Sequence, residues 1–166
     1  SQIMVVGEGR EIYVKVISAE TGSAIGEITG PAATCNSVSV SPVSGQPFRT
    51  VVSSEDRCAY LYAGKPCKLV RTLKDHRNFV SCTSFSPDGT KFATGGRDGK
   101  IYLYDGESGN QLFECFSHFS KESSSCSITG IAWPNPEILI SSSTDGTITV
   151  WNLSTRVYAT YCNHLG

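Results

Sequence analysis

The stretch Ser86-Pro87-Asp88-Gly89, followed by Asp98-Gly99 and Tyr104-Asp105, decides how this chain is read. Asp98 follows Pro87 by 11 residues, and Tyr104 follows Asp98 by 6. The same two intervals separate Pro134, Asp145 and Trp151, where the turn is again Asp145-Gly146 and the aromatic pair is Trp151-Asn152. An earlier copy runs Ser41-Pro42, Asp56-Arg57 and Tyr62-Ala63, again with 6 residues from aspartate to aromatic. The three aspartates stand 42 and 47 residues apart. Three features that keep register at a common interval mark an internal repeat.

A period of roughly 40–45 residues is that of a WD repeat, whose four strands make one blade of a β-propeller. Turn chemistry divides each copy. Pro87 and Gly89 suit the tight turn between a first and a second strand, and Asp98-Gly99 is a strong hairpin signal between the second and third. The expected strands of that blade are 80–86, 92–96, 101–105 and 112–116. The following blade repeats them at 128–134, 138–142, 147–153 and 158–162, and the preceding one at 37–41, 50–54, 59–62 and 68–73. Near the amino end only the second to fourth strands of a further blade are expected, at 3–7, 12–18 and 25–29. The expected fold is therefore all-β, a partial WD-repeat propeller of about three and three-quarter blades. Its divisions are 1–30 for the incomplete blade, then 31–73, 74–116 and 117–162. Propellers close with roughly 4–8 blades, so the chain reads as a piece of a larger ring. Unclosed blades leave apolar faces uncovered, through which such a piece is expected to self-associate.

Composition agrees. The 166 residues carry 14 Lys+Arg against 15 Asp+Glu, a formal charge of −1, and only 17% of them are charged. That gives no field for phosphate backbones, so nucleic acid is not an expected partner. No apolar run approaches the roughly 20 residues that would cross a membrane. Val and Ile together number 24 against 8 Leu, a bias that suits pleated strands. The seven cysteines include no C-x-x-C pair, and several sit within apolar strand patterns. They read as reduced structural thiols and not as metal ligands. No metal or cofactor is expected.

His76, Asp98 and the Thr94 hydroxyl superficially suggest a catalytic triad. In WD repeats the same residue types, completed by the aromatic at Tyr104, make a hydrogen-bond network that satisfies buried polar groups. That reading is preferred, with Ser141, Asp145 and Trp151 as its counterparts in the last blade and His118 as a possible fourth member. No catalytic residue is assigned. Gly7-Glu8-Gly9-Arg10 lacks the third glycine and the helix of a phosphate loop. Asn152-Leu153-Ser154 matches a glycosylation sequon but falls at a strand end. The serine-rich segment 117–127 reads as a long loop: a tolerated insertion, or else a partner contact or phosphorylation site.

Beyond the generic repeat, particular segments resemble one family. Val5-Val6-Gly7-Glu8-Gly9-Arg10-Glu11, Gly26-Glu27-Ile28-Thr29-Gly30, Asn36-Ser37-Val38 and Pro47-Phe48-Arg49 are similar to the amino-terminal propeller of the actin-interacting protein 1 family. So are Phe85-Ser86-Pro87-Asp88-Gly89 and the run from Asp98 to Gly106. The resemblance implies two linked seven-bladed propellers, a cytoplasmic place on the cytoskeleton, and no enzymatic activity. It implies binding to cofilin-decorated actin filaments, filament disassembly with cofilin (actin-depolymerising factor), and restriction of barbed-end growth. Acidic positions of the family fall on Glu11 and Glu55, the latter beside Asp56. A family aromatic is replaced by Leu69, within Gly64-Lys65-Pro66-Cys67-Lys68-Leu69. Ala19-Glu20 stands where a Trp-Asp-like pair is expected, and Gly30-Pro31 where Gly-His is usual.

Glu11 and Glu55 in adjacent blades are expected on one rim, bordered by Lys74, Asp75, Arg77 and Arg97. A rim of mixed charge suits electrostatic docking. The alternative is a WD scaffold or adaptor subunit of another complex, because a fold does not specify a function.

Overall fold

In a computed structural model that describes residues 2–9, 12–43, 47–115 and 126–161, fifteen β-strands form four antiparallel sheets. The first sheet has three strands, β1 (Gln2–Val6), β2 (Val14–Ser18) and β3 (Ala24–Glu27), paired in that order. The second is β4 (Cys35–Val40), β5 (Arg49–Ser54), β6 (Ala59–Ala63) and β7 (Lys68–Leu73). The third is β8 (Val80–Phe85), β9 (Lys91–Gly96), β10 (Ile101–Asp105) and β11 (Gln111–Cys115). The fourth is β12 (Ile128–Asn135), β13 (Ile138–Ser143), β14 (Ile148–Asn152) and β15 (Val157–Tyr161). The chain is all-β, with the repeated four-strand meander of a partial WD propeller.

Neighbouring sheets meet through their first two strands. β4, β8 and β12 lie side by side, and the second strand of one sheet packs on the first strand of the next. β1 meets β4 in the way β5 meets β8 and β9 meets β12. That equivalence identifies β1 as a second strand.

Alternation along each strand sends side chains to opposite faces, so an inner sheet contributes to two cores. On β10, Tyr102 and Tyr104 join Val51, Leu61, Leu73, Phe85 and Phe92 between the second and third sheets. Ile101 and Leu103 point the other way and pack with Ala93, Cys115, Ile128, Leu139 and Trp151 between the third and fourth. A third cluster joins the first two sheets through Val14, Cys35, Val52, Tyr60 and Tyr62. Aromatic contacts thread the middle core, with ring centroids of Phe92 and Tyr104 5.1 Å apart. The six described cysteines are free thiols, and burial pushes Cys35, Cys82 and Cys115 up to about 12. Such thiols stay protonated at neutral pH and are poor nucleophiles.

The three four-stranded sheets carry a repeated defect. Each first strand has a register shift near its start, between Cys35 and Ser37, Val80 and Cys82, and Ile128 and Gly130. The extra residues are Asn36, Ser81 and Thr129, all polar. A bulge leaves its extra residue out of the ladder and re-aims its side chain. The shift is why β4 starts at Cys35, two residues before the sequence pattern of alternation begins. β12 likewise runs on to Asn135 past Pro134, which a second irregularity between Ala132 and Asn135 accommodates.

Sheet-to-sheet contact is close enough to exclude a methyl group at Gly95. A Cβ added there would stand 2.5 Å from Ile128 Cγ2 and 2.9 Å from Cys82 Sγ. Gly95→Ala is expected to destabilise the protein by about 1–3 kcal/mol in chemical denaturation. Gly7→Ala, where an added Cβ meets nothing within 4 Å, should stay within about 0.5 kcal/mol of the parent.

Candidate partner-binding rim

Because the strands form meanders, the connections β5–β6, β7–β8, β9–β10 and β13–β14 fall at one end of the sheets, here the upper end. At three of them an aspartate builds the turn. Asp56 Oδ1 accepts the Cys58 amide at 2.9 Å, Asp98 Oδ1 that of Lys100 at 3.2 Å, and Asp145 Oδ1 that of Thr147 at 2.9 Å. A short acidic side chain that satisfies an amide two residues on is a standard device for tight turns.

The third sheet adds a buried extension. The Asp98 carboxylate can only accept, so His76 Nδ1 donates to it, at 3.0 Å from Oδ1 and 3.1 Å from Oδ2. His76 Nε2 lies 2.8 Å from the Thr94 hydroxyl. The Arg77 amide also donates to Asp98, at 2.8 Å. The Tyr104 hydroxyl donates to Asp75 Oδ2 at 2.9 Å, and Tyr102 meets the His76 ring edge-on at 4.7 Å. Burial, then the neighbouring Asp75 carboxylate, raises the Tyr104 phenol far above its ordinary value, so it stays a donor. Thr94 is fully buried, so its hydroxyl is not offered to a substrate. Burial opposes ionisation of Asp98, but the His76 hydrogen bond and charge, with the two amides, outweigh it and hold its carboxyl below 3.8.

The second sheet, with Pro31 in place of histidine, solves the same problem differently. The Tyr60 hydroxyl donates to Asp56 Oδ2 at 2.7 Å, and the Ala32 amide donates to the same oxygen at 2.9 Å. Tyr62, the positional counterpart of Tyr104, donates to the Thr29 carbonyl at 3.1 Å. In the fourth sheet Trp151 Nε1 donates to Ser141 Oγ at 3.0 Å. His118 lies outside the described residues.

The residue before each turn aspartate holds one position. The amides of Glu55, Arg97 and Thr144 donate to the carbonyls of Thr34, Phe79 and Ser127 at 2.9, 2.8 and 2.9 Å. One backbone bond thus presents an acid, a base and a hydroxyl at equivalent places on successive sheets. Lys74 and Arg77 are exposed on the β7–β8 connection, and Arg97 rests over the Phe79 ring at 5.3 Å. The upper end therefore gathers Glu55, Asp56, Lys74, Asp75, Arg77 and Arg97. Asp56 and Asp75 spend carboxylate oxygens inside their blades, whereas Lys74 and Arg77 are open to solvent. Glu11 lies outside the described residues. Leu69 is not gathered: it pairs with Tyr62 near the β6–β7 turn, at the opposite end of the second sheet from Glu55. Three residues from Ala59 to Tyr62 along β6 put roughly 10 Å between those levels.

Sequence reasoning missed Arg57. It occupies the turn place that Gly99 and Gly146 fill at φ 74° and 79°, and it adopts φ 71° itself. The signal was present in the sequence, as a non-glycine residue where two other copies read Asp-Gly.

A family model described as "WD domain, G-beta repeat" matches residues 67–105 and 110–152. The chain belongs to the WD-repeat family. It is 41% identical over 154 residues to "WD repeat-containing protein 1" of Bos taurus, covering 92% of this chain and 25% of that protein. Against the Gallus gallus protein of the same name it is 40% identical over 153 residues, 92% of this chain and 24% of the relative. With "Actin-interacting protein 1" of Drosophila melanogaster it shares 38% identity over 156 residues, 93% of this chain and 25% of the relative. The chain thus spans about a quarter of the length of the curated relatives it matches.

Two outcomes test this geometry. Asp98→Asn should cost about 1–3 kcal/mol at neutral pH by leaving buried donors poorly paired. A carboxylate held below its ordinary value of 3.8 contributes stability that is complete above that pH and lost as pH falls through the lower folded value. The gap between parent and variant in denaturation midpoint should therefore close in strong acid. Arg57→Gly relieves a left-handed backbone at a non-glycine residue and is expected to hold stability or raise it by up to about 1 kcal/mol.

Proposed function

We propose that this chain belongs to an actin-regulating scaffold that binds filamentous actin together with cofilin (actin-depolymerising factor). With cofilin it promotes filament disassembly and barbed-end capping. The observation that carries the reading is likeness along 92–93% of the chain to proteins one of which bears the name Actin-interacting protein 1. A soluble cytoplasmic place on the cytoskeleton and a non-enzymatic role accompany it. No cofactor is required.

The upper rim supplies the docking surface in this reading. Glu55, with Glu11 from the preceding blade, provides the acidic contacts. Lys74, Arg77 and Arg97 border them, and Asp56 and Asp75 position the turns from within. Leu69 forms a separate contact on the outer strand, where it is 42% exposed. Charges at a rim act mainly on encounter rate and on partner choice. The blade divisions at 31–73, 74–116 and 117–162, after an incomplete blade at 1–30, remain part of the proposal. Ile3, Val5 and Ile148 are exposed on the outward faces of the first and fourth sheets, and these faces would seat further blades or a second copy.

Filament co-sedimentation with and without cofilin tests the reading. Charge reversal of Glu11 and Glu55 together is expected to lower cofilin-dependent binding several-fold while leaving the melting temperature unchanged. Unchanged binding would remove both residues from the surface. A protein that ignores actin and cofilin but purifies with another complex would instead be an adaptor subunit of that complex.

A further inference from the structure

A groove of about 810 Å³ opens at the upper end of the boundary between the third and fourth sheets. Arg97, Asn78, Ser81, Ser127, Thr129 and Thr144 line it, and no carboxylate does. We propose that this groove binds a phosphoryl group carried on a segment of a partner protein. The inference is independent of whether that partner is actin.

Arg97 is the cation of the site. Its backbone is fixed by the bond to Phe79 and its guanidinium is braced over the Phe79 ring, while no carboxylate among the described residues pairs with it. A guanidinium presents a planar fork of donors that matches two oxygens of a phosphate. The hydroxyls around it are already oriented. Thr144 Oγ1 accepts the Ser127 amide at 2.9 Å, which leaves its own proton to donate into the groove. Thr129 Oγ1 is held 2.8 Å from Ser142 Oγ.

Ser81 is the second, independent observation. Its Oγ is shielded from solvent and has no hydrogen-bond partner. Ser81 is the bulge residue of β8, and its counterpart on β4, Asn36, reaches across the preceding sheet boundary to the Val80 carbonyl at 3.0 Å. Serine lacks that reach. A hydroxyl left without a partner is costly, and rotation about its Cα–Cβ bond toward the groove would let a bound ligand complete it. A phosphate monoester brings three acceptor oxygens and close to two negative charges, enough for Arg97 and several hydroxyls at once. The equivalent place at the preceding boundary carries Glu55, so the anion site belongs to this boundary alone among those described.

Calorimetric titration of the whole protein with a short Gly-Ser peptide phosphorylated on serine, with its unphosphorylated and glutamate versions, and with inorganic phosphate tests the proposal. Saturable binding of the phosphopeptide is expected, weakened at least tenfold by Arg97→Gln and several-fold by Ser81→Ala. Lys68→Gln, at the other end of the sheets, should leave it unchanged. Circular dichroism of the two groove variants should match the parent, since Arg97 is an exposed turn residue; a variant that unfolds is replaced by Thr144→Val, with the same loss expected. Absence of binding at millimolar peptide, or equal binding by Arg97→Gln, overturns the site. Equal affinity for the glutamate peptide overturns the phosphoryl assignment in favour of an acidic side chain. Equal affinity for inorganic phosphate overturns the partner segment in favour of a free anion.

Discussion

The structure depends on burying both faces of a sheet while still turning the chain tightly at its ends. Strands in an inner sheet have no water-facing side on which to discard polar groups, so β5, β9 and β10 are buried along almost their whole length. The backbone that must reverse between them is therefore closed by side chains that act as internal acceptors. Asp56, Asp98 and Asp145 do this in three sheets, each by accepting the amide two residues on. Where the turn sinks deeper, the remaining carboxylate capacity must also be filled. His76 fills it in the third sheet and Tyr60 in the second.

That substitution shows what the repeat conserves physically. The aspartate needs a second donor from within the blade, and the donor can be an imidazole on the preceding connection or a phenol on the third strand. With Pro31 where the third sheet has His76, a phenol of the same sheet reaches the carboxylate. Both solutions fill the carboxylate's acceptor capacity from within the blade.

Much of this architecture was legible because it rests on spacing. The intervals among Pro87, Asp98 and Tyr104 are set by strand length and turn type, so their recurrence located fifteen strands to within a few residues. Less legible was anything decided by a single displaced residue. The bulges at Asn36, Ser81 and Thr129 break alternation by one position, which in sequence looks like an ordinary polar residue at a strand start. Arg57 at φ 71° is likewise a local departure, visible only against the glycines of the other copies. Leu69 was named as a contact position from resemblance alone, and only the register of β6 and β7 shows that it lies at the end of the sheet away from Glu55. Nor could sequence alone show that Asp56 and Asp75, placed on the rim by proximity, turn their oxygens inward.

The position before the turn aspartate joins structure to function. Its amide is anchored in the same way in three sheets, so its side chain is projected at a fixed place regardless of identity. Glu55, Arg97 and Thr144 consequently differ in charge on one backbone geometry, and neighbouring blades present acid, base and hydroxyl in a fixed order. Under the proposed function, a surface of this kind would recognise a partner by the sequence of charges around the rim and not by apolar area. This fits a chain of net charge −1 that has little field to offer at long range. The tasks are separated: the aspartate holds the blade, and the residue before it, anchored by its backbone, carries the charge that differs from sheet to sheet.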